Sequence, residues 1–502
     1  MRSLIKYIFV AAGLLTYNFS SLAQEQKAVI AGDFADPSII RKDKQYFAVG
    51  TSSEWAPHFP IYTSTNLTDW KQTGYVFDEA PEWTSGSFWA PEYYLINKTY
   101  YIYYTARRKK DNVSYIGVAT SKRPDRGFKD HGVIIEHGKE AIDAFVYNDN
   151  GQLYITFKAY GLDNRPIEIL GSKLSADGLK LEGEVFSLFK DDKKIGLEGQ
   201  SIIKKDNYYY LFYSAGNCCG VQCDYNVRIA RSKNFKGPYE DFSNNPVLKE
   251  ATDWKCTGHG TFVNTPEGKT YYLYHAYNKT TTVFTGRQGM LAELTWPTKG
   301  GWPVFKAEPN SLAKNLGITA NFMGVTPEDY WQWDFRNSSP AAKQLNGKLH
   351  LSGVIQEENH SGVVYTVRPT TSNYEISTVV TNHNDAQKGL VIYGDANSAI
   401  GIAAIGDKVE LWIVKANKRT VLASAPISAT GDVMLTMKIT PDLKCSAMYK
   451  STTSGGWKTL AAEDGVTISF LPPWDRSPRA GLNFMGNPDQ SAIFSSFTLV
   501  NK

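Results

Sequence analysis

Five short segments open on residues able to do acid–base chemistry, and they recur at nearly even spacing. They are Asp36-Pro37-Ser38-Ile39, Ala90-Pro91-Glu92-Tyr93, Ile142-Asp143-Ala144-Phe145, Leu197-Glu198-Gly199-Gln200-Ser201 and Thr257-Gly258-His259-Gly260-Thr261-Phe262. Taken as anchors, Asp36, Glu92, Asp143, Glu198 and His259 are separated by 56, 51, 55 and 61 residues. Asp36, Asp143 and Glu198 form the trio of interest. Three carboxylates drawn together repel, so at least one holds its proton well above its solution pKa. That condition serves general acid–base work on one bond at mild pH. Glycoside hydrolysis asks for such a set: one carboxylic acid protonates the leaving oxygen, and one carboxylate activates water or attacks the sugar. A bound cation is the competing use of clustered acids, and hydrogen bonding to strand-end amides is the structural one.

Something must bring these anchors together, and the strands around them say what. Each anchor begins a short strand, and a Tyr-rich alternating strand follows it: Gln45–Val49, Tyr100–Tyr104, Leu153–Phe157, Tyr208–Tyr213 and Tyr271–His275. Turn clusters such as Asn148-Asp149-Asn150-Gly151 join the two into hairpins. Third strands follow in several units, ending in Ser64, Ser121 and Ser232. Five units of about fifty-five residues, each of three or four strands, predict a five-bladed β-propeller over residues 27–305. Radial repetition puts the innermost strand of every blade around one axis, so the five anchors converge on one end of it.

The rest of the chain divides around this unit. Arg2 and Lys6, the apolar Tyr7–Leu15 and the small residues Ser21 and Ala23 read as a signal peptide over 1–23, cleaved after Ala23 for export to the periplasm or beyond. Residues 306–329 read as a linker. Residues 330–502, rich in Thr and Val strands such as Asn373–Val380 and Val409–Val414, read as a β-sandwich of jelly-roll or concanavalin-like type. The chain is therefore expected to be all-β. Export permits disulfides among Cys218, Cys219, Cys223 and Cys256, with Cys445 alone. One pairing is Cys218–Cys219 with Cys223–Cys256; another links Cys223 to Cys218 or Cys219. A four-cysteine zinc site fits the adjacent pair poorly. The net charge of +4, about +2 once the leader is gone, argues against nucleic acid and agrees with an uncharged substrate. No later segment reads as a membrane helix. The 12 Trp, 30 Tyr and 24 Phe serve strands and sugar-facing walls alike. Phe88, Trp89, Trp55 and Trp83, on loops near blade beginnings, are the candidate walls.

The motif series Gly32-Asp33-Phe34-Ala35-Asp36-Pro37, Trp89-Ala90-Pro91-Glu92, Ile142-Asp143-Ala144-Phe145, Leu197-Glu198-Gly199, Gly258-His259-Gly260 and Tyr274-His275-Ala276-Tyr277 with Arg287 resembles glycoside hydrolase family 43 over residues 27–305. The resemblance implies an inverting glycosidase with Asp36 as general base, Asp143 tuning and orienting the acid, and Glu198 as general acid. It implies that Arg287 and Trp89 meet the sugar; Phe88, as an aromatic wall, and His259 are read as further sugar contacts beside them. It also implies that His259 touches an axial Ca2+ or its waters, while the chemistry itself needs no cofactor. The expected substrate is terminal pentose on plant cell-wall polysaccharide or its oligosaccharides, α-L-arabinofuranose first. β-Xylosidase, endo-arabinanase and galactan-directed hydrolysis are the alternatives within the family, and a non-catalytic carbohydrate-binding protein is the alternative outside enzymes. Ala35 and Gly199 stand where the similar retaining fructan hydrolases carry Asn and Cys, which disfavours that reading. The loop Asn217–Asp224 departs from the family pattern and is read as a disulfide-stiffened segment that shapes the pocket. The sandwich is expected to bind polysaccharide, wall the site or stabilise the propeller; oligomeric state is left open.

Overall fold

The computed structural model describes residues 28–307, 317–451, 454–460 and 464–502. The leader read over 1–23 lies outside the described residues, as do 308–316. Every regular element described is a strand, apart from a single 3-10 turn at Thr282–Phe284.

Five antiparallel sheets follow one another along the chain. The first runs Ser38–Lys42, Gln45–Val49, His58–Ser64 and Lys71–Phe77 in spatial order. The second, third and fourth repeat this up-and-down order from Thr84–Ile96, Ala141–Asp149 and Leu197–Lys205. The fifth begins at Trp254–Asn264 and takes Ala28–Ile30, from the start of the described chain, against Arg287–Thr295. The first strand of each sheet contacts the first strand of the next, and the fifth contacts the first, so the ring closes in a propeller-type arrangement. The Tyr-rich second strands supply the packing between sheets. Tyr103, Tyr104, Tyr210, Tyr213, Tyr272 and Tyr274 are all but inaccessible, their rings spent on apolar contact.

Two larger sheets hold the C-terminal part, one of nine strands and one of six. They share one core, to which Ile376, Leu435, Met437 and Phe494 contribute from the first sheet and Leu390, Ile392, Ile400 and Ile402 from the second. Tyr374–Val380 alternates buried and half-buried residues, as a strand with one face on a core must. Within the stretch read as linker, Ile318–Ala320 already pairs with Ala492–Asn501.

The two parts are stapled together where the ring's anchors lie. Trp55 and Ala56 pair with Asp334 and Trp333 in a short two-stranded sheet. Asp33 accepts from the Ser477 amide at 3.1 Å, and its carbonyl accepts from Arg368 at 2.7 Å.

Candidate active site

The inner strands do not run evenly to their ends. Their register against the second strand slips between Trp89 and Glu92, Ile142 and Phe145, Glu198 and Ser201, and Gly258 and Thr261. Such bulges bend a strand and re-aim a side chain. At them Ala90, Asp143, Gly199 and His259 take φ of 46°, 59°, 58° and 36°, and Asp36, just before its strand, takes 49°. These five residues are the structural equivalents, spaced 54, 53, 56 and 60 apart. The second and fourth anchors are thus Ala90 and Gly199 rather than Glu92 and Glu198, a correction to the sequence reading. Glu92 lies two places deeper, level with Ser38, whose hydroxyl donates to it at 2.6 Å. Burial pushes Glu92 up to about 8, and it does not line the pocket. Gly199 is required twice over: its φ is left-handed, and a Cβ there would lie 2.7 Å from the His259 ring.

The remaining three acids converge on a cavity of about 540 Å³, which Asp36, Asp143 and Glu198 all line. Asp36 is buried. Its Oδ1 accepts from Arg287 Nη1 at 3.1 Å, and its Oδ2 accepts from the Thr51 hydroxyl at 2.7 Å. Burial, the largest single influence, raises its pKa, but the Arg287 guanidinium leads the opposing influences, with His275 and His259 beside it, and together they hold the carboxyl well below the usual range. His275 Nδ1 is 3.3 Å from Oδ1, yet it also accepts the Asp36 backbone N–H at 3.1 Å. A nitrogen accepting from an amide carries no proton, and burial pushes His275 down to about 4, so this contact is not an ion pair.

Asp143 and Glu198 divide a proton unevenly. Burial, then the Glu198 charge, push Asp143 up to about 6, although Gly199 N–H donates to its Oδ2 at 2.9 Å. Glu198 moves the other way. Burial opposes ionisation, but Lys158 Nζ at 2.8 Å and the Tyr225 hydroxyl at 2.9 Å favour the carboxylate and lower its pKa. The protein therefore keeps one carboxylate firmly ionised and, beside it, a pair that holds a proton into mildly acidic solution.

Arg287 is almost wholly buried, and its Nη2 donates to the Asp475 carbonyl at 3.1 Å. Trp89 lines the cavity, donates from Nε1 to Asp475 Oδ2 at 3.3 Å and meets Trp474 edge-on at 6.5 Å. Phe88 does not reach the pocket: it is fully buried and stacks on His58 at 3.8 Å, so its expected contact with sugar is corrected to core packing. Trp55 and Trp83 pack likewise, on Tyr393 and Tyr104. Cys218 is bonded to Cys219 and Cys223 to Cys256, and the first pair lines the cavity.

His259 sits between the acids, its Nδ1 3.5 Å from Asp36 Oδ1 and 3.8 Å from Asp143 Oδ2. Ca2+ takes about six to eight oxygen ligands. Among the described residues no three His, Cys, Asp or Glu side chains group to hold a metal ion. The residues around His259 do not fit a protein-built Ca2+ cage.

Sequence reasoning missed Lys158, Tyr225, Thr51, Trp474 and Asp475. The last two come from the C-terminal part, and their signal was a Trp bracketed by Pro472, Pro473 and Pro478 in a proline-stiffened loop. Nothing in the sequence marked Lys158, just past the strand Leu153–Phe157, or Tyr225, just past the loop Asn217–Asp224.

A comparison with known proteins matches glycosyl hydrolases family 43 to residues 26–303. The chain is 29% identical over 324 residues to the extracellular exo-α-(1→5)-L-arabinofuranosidase ArbA of Cellvibrio japonicus (strain Ueda107), covering 57% of this chain and 88% of that one. It is 26% identical over 322 residues to the extracellular endo-α-(1→5)-L-arabinanase 1 of Bacillus subtilis (strain 168), covering 59% and 95%. The crystal structure of a xylan β-1,4-xylosidase from Bacillus halodurans C-125 superposes with a TM-score of 0.81 at 19% identity, over 95% of this chain and all of that one, which shows a shared fold. With the family matched over more than half its length, the chain belongs to glycosyl hydrolases family 43 and is a glycosidase that hydrolyses O-glycosyl bonds.

Proposed function

We propose that the protein is an exported, inverting α-L-arabinofuranosidase that removes terminal pentose from plant cell-wall polysaccharide or its oligosaccharides. On this reading the ring of sheets is a five-bladed catalytic propeller, and the C-terminal sheets are a concanavalin-like sandwich that walls its pocket. Asp36 is the general base, Glu198 the general acid, and Asp143 the group that tunes and orients the acid. The observation that carries the proposal is the split in charge state: Arg287 keeps Asp36 ionised while the Asp143–Glu198 pair keeps a proton.

In the reaction, Asp36 accepts a proton from water as the water oxygen bonds to the anomeric carbon from one face. The bond to the leaving oxygen breaks on the other face, and that oxygen takes a proton from Glu198. The free protein holds Glu198 ionised, so its proton must arrive with the sugar. The Glu198 side chain retains 20% exposure, whereas Asp143 is already dry at 7%. A sugar ring that covers Glu198 strips its remaining water and raises its pKa, which draws the pair's proton onto it. No step is assigned to a Ca2+ ion.

Terminal rather than internal attack is supported by Trp474 and Asp475, which line the pocket from the C-terminal part and add a wall to it. Arabinose is supported by the exo-acting relative at 29% identity. The test is a panel of aryl α-L-arabinofuranosides, β-D-xylosides and β-D-galactosides, with proton NMR of the first-formed product. Arabinoside turnover with inverted configuration is expected. Retained configuration refutes the assigned roles, and preference for xyloside or galactoside moves the substrate within the family.

A further inference from the structure

The cavity carries two cations that the proposed chemistry does not use, Arg107 and Lys139, which share its lining with Trp89 and Glu140. Pairing the charges around the cavity shows this. Arg287 takes Asp36, Lys158 takes Glu198 and lies 3.7 Å from Glu140, and Arg476 takes Asp475 at 2.8 Å. Arg107 and Lys139 also line the cavity, and neither forms an ion pair among the described residues. The Arg107 guanidinium stands 5.9 Å over the Trp89 ring, and its Nε is without a hydrogen-bond partner among the described residues. The strand end that carries it continues as Arg108-Lys109-Lys110, with both lysines exposed. The nearby acids lie against other cations: Asp111 and Glu136 both close on Arg108, the latter at 2.7 Å, and Glu140 lies 3.7 Å from Lys158. A chain close to neutral overall thus presents two cations without an ion-pair partner among the described residues, Arg107 and Lys139, on one lip of its pocket, with Glu140 the acid beside them.

We infer that this lip receives a carboxylate on the glycan beyond the cleaved bond, so that the preferred substrate is a pentose-terminated oligosaccharide carrying a uronic acid. Trp89 offers a face for the sugar ring, and Arg107 and Lys139 offer donors to its carboxylate in the same span. An arginine already held over an aromatic ring loses little freedom on binding. This inference rests on the arabinofuranosidase reading of the same pocket and adds the charge of the aglycone to it.

The experiment compares an arabinofuranose-terminated oligosaccharide bearing a uronic acid with the same compound after reduction of the carboxyl to the alcohol. At low ionic strength the acidic form should be hydrolysed with kcat/KM about tenfold higher, as expected for one or two partly exposed charge-assisted contacts. In about 1 M NaCl, where the Debye length is about 3 Å, the ratio should approach one. Lys139→Glu should bring the low-salt ratio to or below one, and Arg107→Gln should lower it as well. A ratio near one at low salt, a ratio indifferent to salt, or an unchanged ratio in both variants overturns the inference. Failure to hydrolyse either oligosaccharide or the aryl arabinofuranosides overturns the functional reading. Equal hydrolysis of both oligosaccharides leaves that reading standing and removes only the carboxylate.

Discussion

Lys158→Met should move the basic limb of the pH profile upward. Lys158 Nζ is 2.8 Å from Glu198 Oε2 and is nearly buried, so its charge acts on Glu198 with little screening. In the wild type the productive form carries one proton on the Asp143–Glu198 pair. That proton is lost as pH rises through about 6, and kcat/KM falls with it. A cation this close lowers a carboxyl pKa by roughly 1–3 units, and each unit is about 1.4 kcal/mol. Removing it lets Glu198 keep the proton to higher pH. Glu140, left without its cation at 3.7 Å, pushes the same way. The basic limb is therefore expected to rise by roughly 1–3 units, whereas the acid limb, set by an Asp36 still paired with Arg287, stays in place. The assay is kcat/KM against pH with an arabino-oligosaccharide, whose alkoxide leaving group needs the proton. Lys158→Arg, which keeps the charge, should leave the limb near its wild-type position. A basic limb that stays put or moves down in Lys158→Met refutes the reasoning, since Glu198 would then not be the group whose proton limits the rate.

Three other outcomes are expected. Asp36→Asn and Glu198→Gln should each lower kcat about 10³-fold or more with the circular dichroism unchanged, and only Glu198→Gln should recover on substrates with good leaving groups; near-normal turnover in either variant removes its role. Glu92 is raised from 4.5 to about 8 on folding, so its protonated form adds stability that is complete below pH 4.5 and lost as pH rises through 8. Glu92→Gln should flatten the decline of Tm across that window, and an unaltered decline would place the titration elsewhere. Cys218→Ser combined with Cys219→Ser removes a wall of the cavity and should raise KM several-fold with kcat less affected, and unchanged kinetics would leave the bonded pair without a part in binding.

The legible part of this protein is the part encoded locally. Tyr-rich alternation and turn clusters mark strands because side chains alternate faces every residue, and five repeats of that pattern disclose a ring. Asp36, Asp143 and Glu198 could be named because each sits at, or one residue from, the same place in its repeat. The same regularity misled at Glu92: spacing alone cannot see the bulge that makes Ala90 the equivalent of Asp36. Phe88 shows a second failure, since an aromatic beside a site motif looks the same whether it faces sugar or, as here, His58.

The sequence by itself determined the ring, the acids on its axis and the cysteines available for bonding. Tertiary structure alone decided which acid keeps a proton. That choice depends on Arg287, 251 residues from Asp36, and on Lys158, 40 residues from Glu198. It also decided that Trp474 and Asp475, from a separate pair of sheets, complete the pocket. Charge acts through distance and burial, and neither can be read along the chain when partners lie on different sheets.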